Sequence, residues 1–266
     1  MSVAPVARHT LRDRRTGLLG WALGIAAYVM VMASVYPAVH GSAIQRAVHN
    51  YPDELKAFFG GNASFDFRSA TGYLNVELFS LVLPALLAIV AIAQGAATLA
   101  GEEESGFLDL VLAHPVPRRR VLLEQVAAVA GSLLALGAVM VVSLLAVGEL
   151  ADLDLDAGNV VAAVLGCVLI ALFLGALAVL VGAAGGRRPL AIGVPTVVFA
   201  ASYLAVGLAG LVDGLSWLRQ LSLLYHATGT LPISNGIPAN FAVLAGAIVV
   251  VVIGAVVAFD RHDLTA

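Results

Sequence analysis

Few side chains in this sequence are of types that do chemistry, and their spacing excludes several reactions. None of His9, His40, His49, His114, His226 and His262 is followed by Glu-x-x-His. That spacing puts two imidazoles and a general base on one helix face for zinc-assisted hydrolysis. No serine lies in Gly-x-Ser-x-Gly, the turn that exposes a nucleophilic hydroxyl. Glu102-Glu103-Glu104 begins the Glu-Glu-x-x-x-Arg pattern of prenyl-protein proteases, but Phe107 and Leu108 occupy the two positions where the arginine is needed. The single lysine, Lys56, sits between Leu55 and Ala57, so no Gly-Lys-Ser/Thr exists to cradle nucleotide phosphates. ATP hydrolysis by a Walker mechanism on this chain is excluded. No catalytic, cofactor-binding or metal-binding residue is assigned, and the chain is not read as an enzyme.

The elements around these residues are set by composition. Of 266 residues, 61% are hydrophobic and 12% are charged, with 27 glycines in addition. Soluble domains carry about 45–50% apolar residues with glycine counted in, and about 25% charged. A soluble fold cannot hide this much apolar surface, so the chain is an integral membrane protein. About 20 apolar residues cross the ~30 Å hydrocarbon core. Six segments qualify, at 17–38, 74–99, 121–148, 159–184, 190–212 and 240–259. The fold class is therefore all-α with six transmembrane helices in a single transmembrane domain over 1–266. The first apolar stretch exceeds the 7–15 residues of a signal peptide core, and it is read as a retained helix.

Orientation follows from lysine and arginine in the loops. With both termini cytoplasmic, ten of these residues lie inside, among them Arg8, Arg118–Arg120, Arg187 and Arg188. Four lie outside: Arg46, Lys56, Arg68 and Arg219. The expected location is the plasma membrane of a bacterium, multi-pass, with both termini inside. Arg8, Arg12 and Arg15 at helical spacing suit a short interfacial helix near anionic lipid head groups over 4–16. No basic patch suggests nucleic acid as a partner.

Outside, residues 51–61 read as a short helix, with Pro52 in its first turn and Gly60-Gly61 as its stop. Asp152, Asp154 and Asp156 resemble a calcium loop only superficially. The glycine comes one position late, at Gly158, and Ala163 stands where the twelfth-position glutamate belongs. A solvated acidic turn is the better reading. Trp217, Leu218, Leu221, Leu224 and Tyr225 fit one helical face, and Pro232, Gly236 and Pro238 then break it. An amphipathic or partly re-entrant outer segment is expected over 213–239. Ionisable groups deep in the spans are scarce. Glu77 and Glu124 are read as lying near span ends. Gln94, Ser143, Thr196, Ser202 and Tyr203 are the polar candidates for lining a pathway.

The most informative stretch is the inner loop 100–120, which contains Glu102-Glu103-Glu104-Ser105-Gly106-Phe107-Leu108-Asp109-Leu110-Val111-Leu112-Ala113-His114-Pro115-Val116-Pro117. It reads as a short helix. Acids at its start complement the positive end of the dipole. Phe107, Leu108, Val111 and Leu112 make an apolar face too short to span anything, and Pro115 and Pro117 end it.

This loop resembles that of the ABC-2-type permeases, the membrane subunits of one class of ABC exporters. Their loop between spans 2 and 3 reads roughly Glu-x-Glu-x-Gly-Thr-Leu-(Asp/Glu)-x-Leu-Leu-(Ala/Ser)-x-Pro-Val-Ser-Arg. Glu102, Glu104, Gly106, Leu108, Asp109, Leu112, Ala113, Pro115, Val116 and Arg118 match it. Phe107, Val111 and Pro117 depart mildly. The ending Phe259-Asp260-Arg261-His262-Asp263-Leu264 is similar to the family's Phe-x-Arg-Arg-Asp-Leu, and Gly72-Tyr73-Leu74 resembles its second-span start.

The resemblance implies a coupling helix between spans 2 and 3 that docks on a separate ATP-binding subunit, with ATP and Mg²⁺ held there. It further implies two such subunits and a second permease, identical or different, surrounded by membrane lipids. Glu102, Glu103, Glu104, Gly106, Phe107, Leu108, Val111, Leu112 and Pro115 would be the coupling residues. The resulting expectation is the permease subunit of an ATP-driven exporter. The alternative is an accessory or structural membrane subunit with no pathway of its own. Substrate is left open among hydrophobic drugs, lipid-like molecules and peptides.

Overall fold

The computed structural model describes residues 15–39, 69–98, 118–185 and 187–261. Among them every regular element is helical, and six helices are long and apolar enough to cross a membrane. The first is α1 (Arg15–Val39). Span 2 is composite, with α2 (Ala70–Leu74), a π-helical turn (Asn75–Phe79) and α3 (Val82–Ala97). Then follow α4 (Arg118–Leu150), α5 (Ala157–Gly185) and α6 (Arg188–Leu211). A 3₁₀ segment (Asp213–Leu221), α7 (Leu223–Thr228) and α8 (Pro232–Asn235) lead into α9 (Phe241–Arg261). The six expected spans agree with these helices to within a few residues. The interfacial helix expected at 4–16, the helix at 51–61 and the coupling helix in 100–120 fall mainly outside the described residues.

α5 is the centre of the bundle. It packs against α3, α4, α6, α7, α8 and α9. Hydrocarbon gives apolar helices no reason to prefer each other over lipid. Association therefore rests on close van der Waals contact between small residues. α5 supplies Ala162, Gly166, Ala171, Gly175, Ala178 and Gly182 as buried positions. At its crossing with α3, a Cβ on Gly95 would lie 2.5 Å from the Gly175 carbonyl oxygen and 2.9 Å from the Ala178 methyl. At Gly166 a Cβ would stand 2.7 Å from the Ala227 carbonyl of α7. These two glycines set how closely the inner and outer halves of α5 are approached.

α1 lies to one side, on α4 and the start of span 2. Ile25, Val29 and Ala33, spaced by four, form its buried stripe. Leu19, Leu23 and Val31 on its other side are exposed, as suits a helix facing lipid.

Span 2 is not one continuous α-helix, a feature absent from the sequence reading. Pro84 has no N–H to donate, and its ring would collide with the carbonyl four residues back. The chain yields just before it. Ser80 N bonds Asn75 O at 2.8 Å in a five-residue closure, and Leu81 leaves helical geometry at φ −147°. The Ser80 hydroxyl donates to the Val76 carbonyl.

The outer segment 213–239 also differs from expectation. Trp217 and Leu221 are exposed, whereas Leu224 is buried, so the five residues do not share a face. Ser222 breaks the helix between them. Its hydroxyl donates to Ser202 O at 2.7 Å and accepts from Tyr225 N at 3.3 Å, starting α7 in a new direction. In the 151–156 turn, Asp156 caps α5 by accepting from Asn159 N at 2.8 Å.

Gly95→Ala puts a methyl into a backbone oxygen and is expected to destabilise the bundle by about 1–3 kcal/mol, the usual range for overpacking. Gly131→Ala meets nothing within 4 Å and should leave the thermal midpoint in detergent unchanged or raised.

Candidate functional site

The helix ends sort into two faces. At one, Ala96 at the end of α3, Val181 of α5 and Ala191 of α6 pack together. On the same face Arg119 Nε donates to Asp260 Oδ2 at 2.6 Å, tying the start of α4 to the end of α9. Arg120 bonds Glu124 one turn on, at 3.0 Å. Arg187, Arg188 and Arg261 are exposed there. At the opposite face lie the 151–156 turn and the segment 213–240, where Asn159 Nδ2 donates to Ser234 O at 3.3 Å. Arg219 is the arginine of that face among the described residues. The charge asymmetry of the sequence is thus an asymmetry of two surfaces.

The polar pathway candidates are not brought together. Gln94 Oε1 accepts from the Ser132 hydroxyl at 2.7 Å, joining α3 to α4. Ser143 returns its hydroxyl to Val139 O of its own helix at 2.7 Å. Ser202 receives Leu223 N at 3.4 Å and so helps hold α7. Tyr203 is half-buried and, like Phe199, packs against the apolar cluster formed by α3, α5, α7 and α9. Thr196 borders a cavity.

That cavity is a groove of about 390 Å³ between α3 and α6. Ala88, Ile89 and Ile92 line it from α3, and Ile192, Thr196 and Phe199 from α6. The Thr196 hydroxyl is turned back to Ile192 O at 2.7 Å, so the lining is almost wholly apolar. Sequence reasoning named polar residues and missed Ile192 and Phe199. An apolar side chain facing a groove reads the same as one facing lipid, and nothing in the sequence pairs α3 with α6. The coupling residues Glu102, Glu103, Glu104, Gly106, Phe107, Leu108, Val111, Leu112 and Pro115 lie outside the described residues.

A basic face, six spans and an apolar groove describe a multi-pass membrane protein, and the comparison with protein families decides which kind. The family model described as "ABC-2 family transporter protein" matches residues 4–264. The chain belongs to this family. No curated protein matches it. Membership makes the chain the transport permease of an ABC exporter, a non-catalytic subunit that works with a separate nucleotide-binding subunit. The hydroxyls of Ser132 and Ser222 join separate elements of the permease, while the groove lies open between two of its spans.

The hydrogen bond between Ser132 and Gln94 gives a contrast for experiment. Ser132→Ala removes the hydroxyl that Gln94 Oε1 of α3 shares with Val129 O of α4. It should lower stability by about 0.6–1.7 kcal/mol, the range for such bonds in membranes. Ser143→Ala removes only a bond within one helix and should cost less. Unfolding in mixed micelles measures both.

Proposed function

We propose that this permease converts ATP-driven movement of a partner subunit into helix movement through the segment 99–117. Its basic face, with both termini, lies in the cytoplasm of a bacterial cell, at the plasma membrane. Two copies of the ATP-binding subunit, carrying ATP and Mg²⁺, act on a pair of permeases.

The observation that carries this reading is how the two ends of that segment are anchored. It leaves α3 at Thr98, whose hydroxyl donates to Gly95 O at 2.5 Å. Gly95 is also the point where α3 meets α5 at backbone distance. The segment re-enters as α4, held at its first turn by Arg119 to Asp260 of α9. A force on 99–117 is therefore delivered to α3, α4 and α9 at once, and all three pack on α5. Packed interiors transmit such displacement because they deform little. Phe107, Leu108, Val111 and Leu112 supply the apolar docking face, and the three glutamates orient it or pair with basic residues of the partner.

In the proposed cycle the groove between α3 and α6 accepts an apolar part of the cargo, since its α3 wall belongs to a helix moved by the loop. Thr196 is the one polar pathway candidate bordering it. Gln94, Ser143, Ser202 and Tyr203 serve the frame.

Tagged permease purified from native membranes in mild detergent should bring down a stoichiometric ATPase with vanadate-sensitive activity. In the double variant Leu108→Asp and Leu112→Asp, the partner should be lost while the permease stays monodisperse. Retention of the partner and of export in that variant would refute the docking assignment.

A further inference from the structure

The groove between α3 and α6 has a definite depth in the membrane. α6 starts at Arg188, and Ile192, Thr196 and Phe199 are its lining residues. At 1.5 Å per residue, that lining begins about 6 Å along the helix from Arg188 and ends at about 16 Å. One leaflet contributes about 15 Å of hydrocarbon, half of the ~30 Å core. The groove therefore lies within a single leaflet, the one on the side of the basic face.

Protein closes it at both ends. Ala191 meets Ala96 and Val181 toward the basic face. Toward the opposite face, Phe199 and Tyr203 pack against the cluster formed by α3, α5, α7 and α9. The flank is open. Ile89 is 53% and Ile192 41% exposed, and the small side chains Ala85, Ala88 and Ala93 of α3 leave the space between the two helices. A neighbouring transmembrane helix makes contact along much of the ~30 Å core, whereas this groove runs for about 10 Å, from Ile192 to Phe199. A single acyl chain entering from the side is narrow and flexible enough to fill it.

Charge decides which lipid. Arg187 and Arg188 are exposed about one turn from Ile192, on the basic face. Arg119 and Arg120 of that face are already bonded to Asp260 and Glu124. A guanidinium fork matches phosphate oxygens, and basic residues at a leaflet surface attract anionic lipids. We infer that the groove holds one acyl chain of an anionic phospholipid of the cytoplasmic leaflet, with its phosphate at Arg187 and the charge of Arg188 adding to the attraction. The inference rests on the inner location proposed for the basic face, and it deepens the reading of the groove by naming what cargo displaces there.

The test uses the full chain in phosphatidylcholine nanodiscs containing a phosphatidylglycerol with a diazirine in its acyl chain. Illumination and peptide mass spectrometry should place saturable labelling on the groove residues of α3 and α6, above that on Leu19 and Leu23 of α1. The matching diazirine phosphatidylcholine should label the groove severalfold less. Arg187→Gln should lower labelling by the anionic lipid about fivefold and leave the zwitterionic probe unchanged. Ile192→Trp, which fills the groove, should lower both severalfold. Equal labelling of the groove and α1 overturns the proposal. So does a native protein that labels equally with the two lipids, or labelling unchanged in Ile192→Trp. If Ile192→Trp is not monodisperse, Ala93→Leu carries the same comparison. Disulfide-linked dimers formed through Thr196→Cys would put a second copy of the chain in the groove and would likewise overturn it. A co-purifying ATPase with no groove labelling would remove this lipid site and leave the transport reading intact. Groove labelling with no ATPase partner would do the reverse.

Discussion

The bundle depends on how closely α3 and α5 approach at Gly95 and Gly175. With a glycine on one helix 2.5 Å, measured from where its Cβ would be, from a carbonyl oxygen on the other, this crossing tolerates no larger residue. It holds the inner end of span 2 against the helix that five other elements also touch. In lipid, where burial of apolar groups gives little advantage over acyl chains, such short-range contact is the main source of association. Serine hydroxyls supplement it at two places, Ser132 to Gln94 and Ser222 to Ser202, each joining elements distant in sequence.

A second constraint works on the opposite half of the same span. Pro84 prevents an unbroken α-helix, and the extra residue taken up before it appears as the turn Asn75–Phe79. Span 2 thus has a rigid inner half locked to α5 and an irregular outer half leaning on α1. The inner half connects to the segment proposed to meet the ATPase, and the outer half carries Glu77 and Tyr73. From Thr98 to Ala70, span 2 is an interrupted helix, not a continuous one. The interruption gives the two halves room to move unequally.

The family assignment fits this division of labour. A permease that has no nucleotide site of its own needs a firm connection to a partner at one face and an adaptable surface for cargo elsewhere. Arg119 to Asp260 and the α3–α5 crossing make the basic face firm. The groove between α3 and α6 is an open, apolar surface between spans.

Much was legible in the sequence because the membrane imposes length and charge rules on single segments. Runs of about 20 apolar residues gave six spans within a few residues of the helices, the arginine distribution gave two unlike faces, and the loop with Glu102, Gly106, Leu108 and Pro115 gave the family. Those are properties of contiguous stretches, so neighbours in space are not needed to see them. Tertiary structure decided what depends on pairing. Gln94 and Ser143 look alike in sequence, yet one bonds across helices and the other within its own. Trp217 and Leu224 share a helical period, but Ser222 binds Ser202 and turns them apart. Span 2 reads as one helix until the π-helical turn Asn75–Phe79 ahead of Pro84 is seen. The physical reason is that an apolar span presents similar residues all round, so its periodicity does not say which side meets protein, which meets lipid, and which stays open.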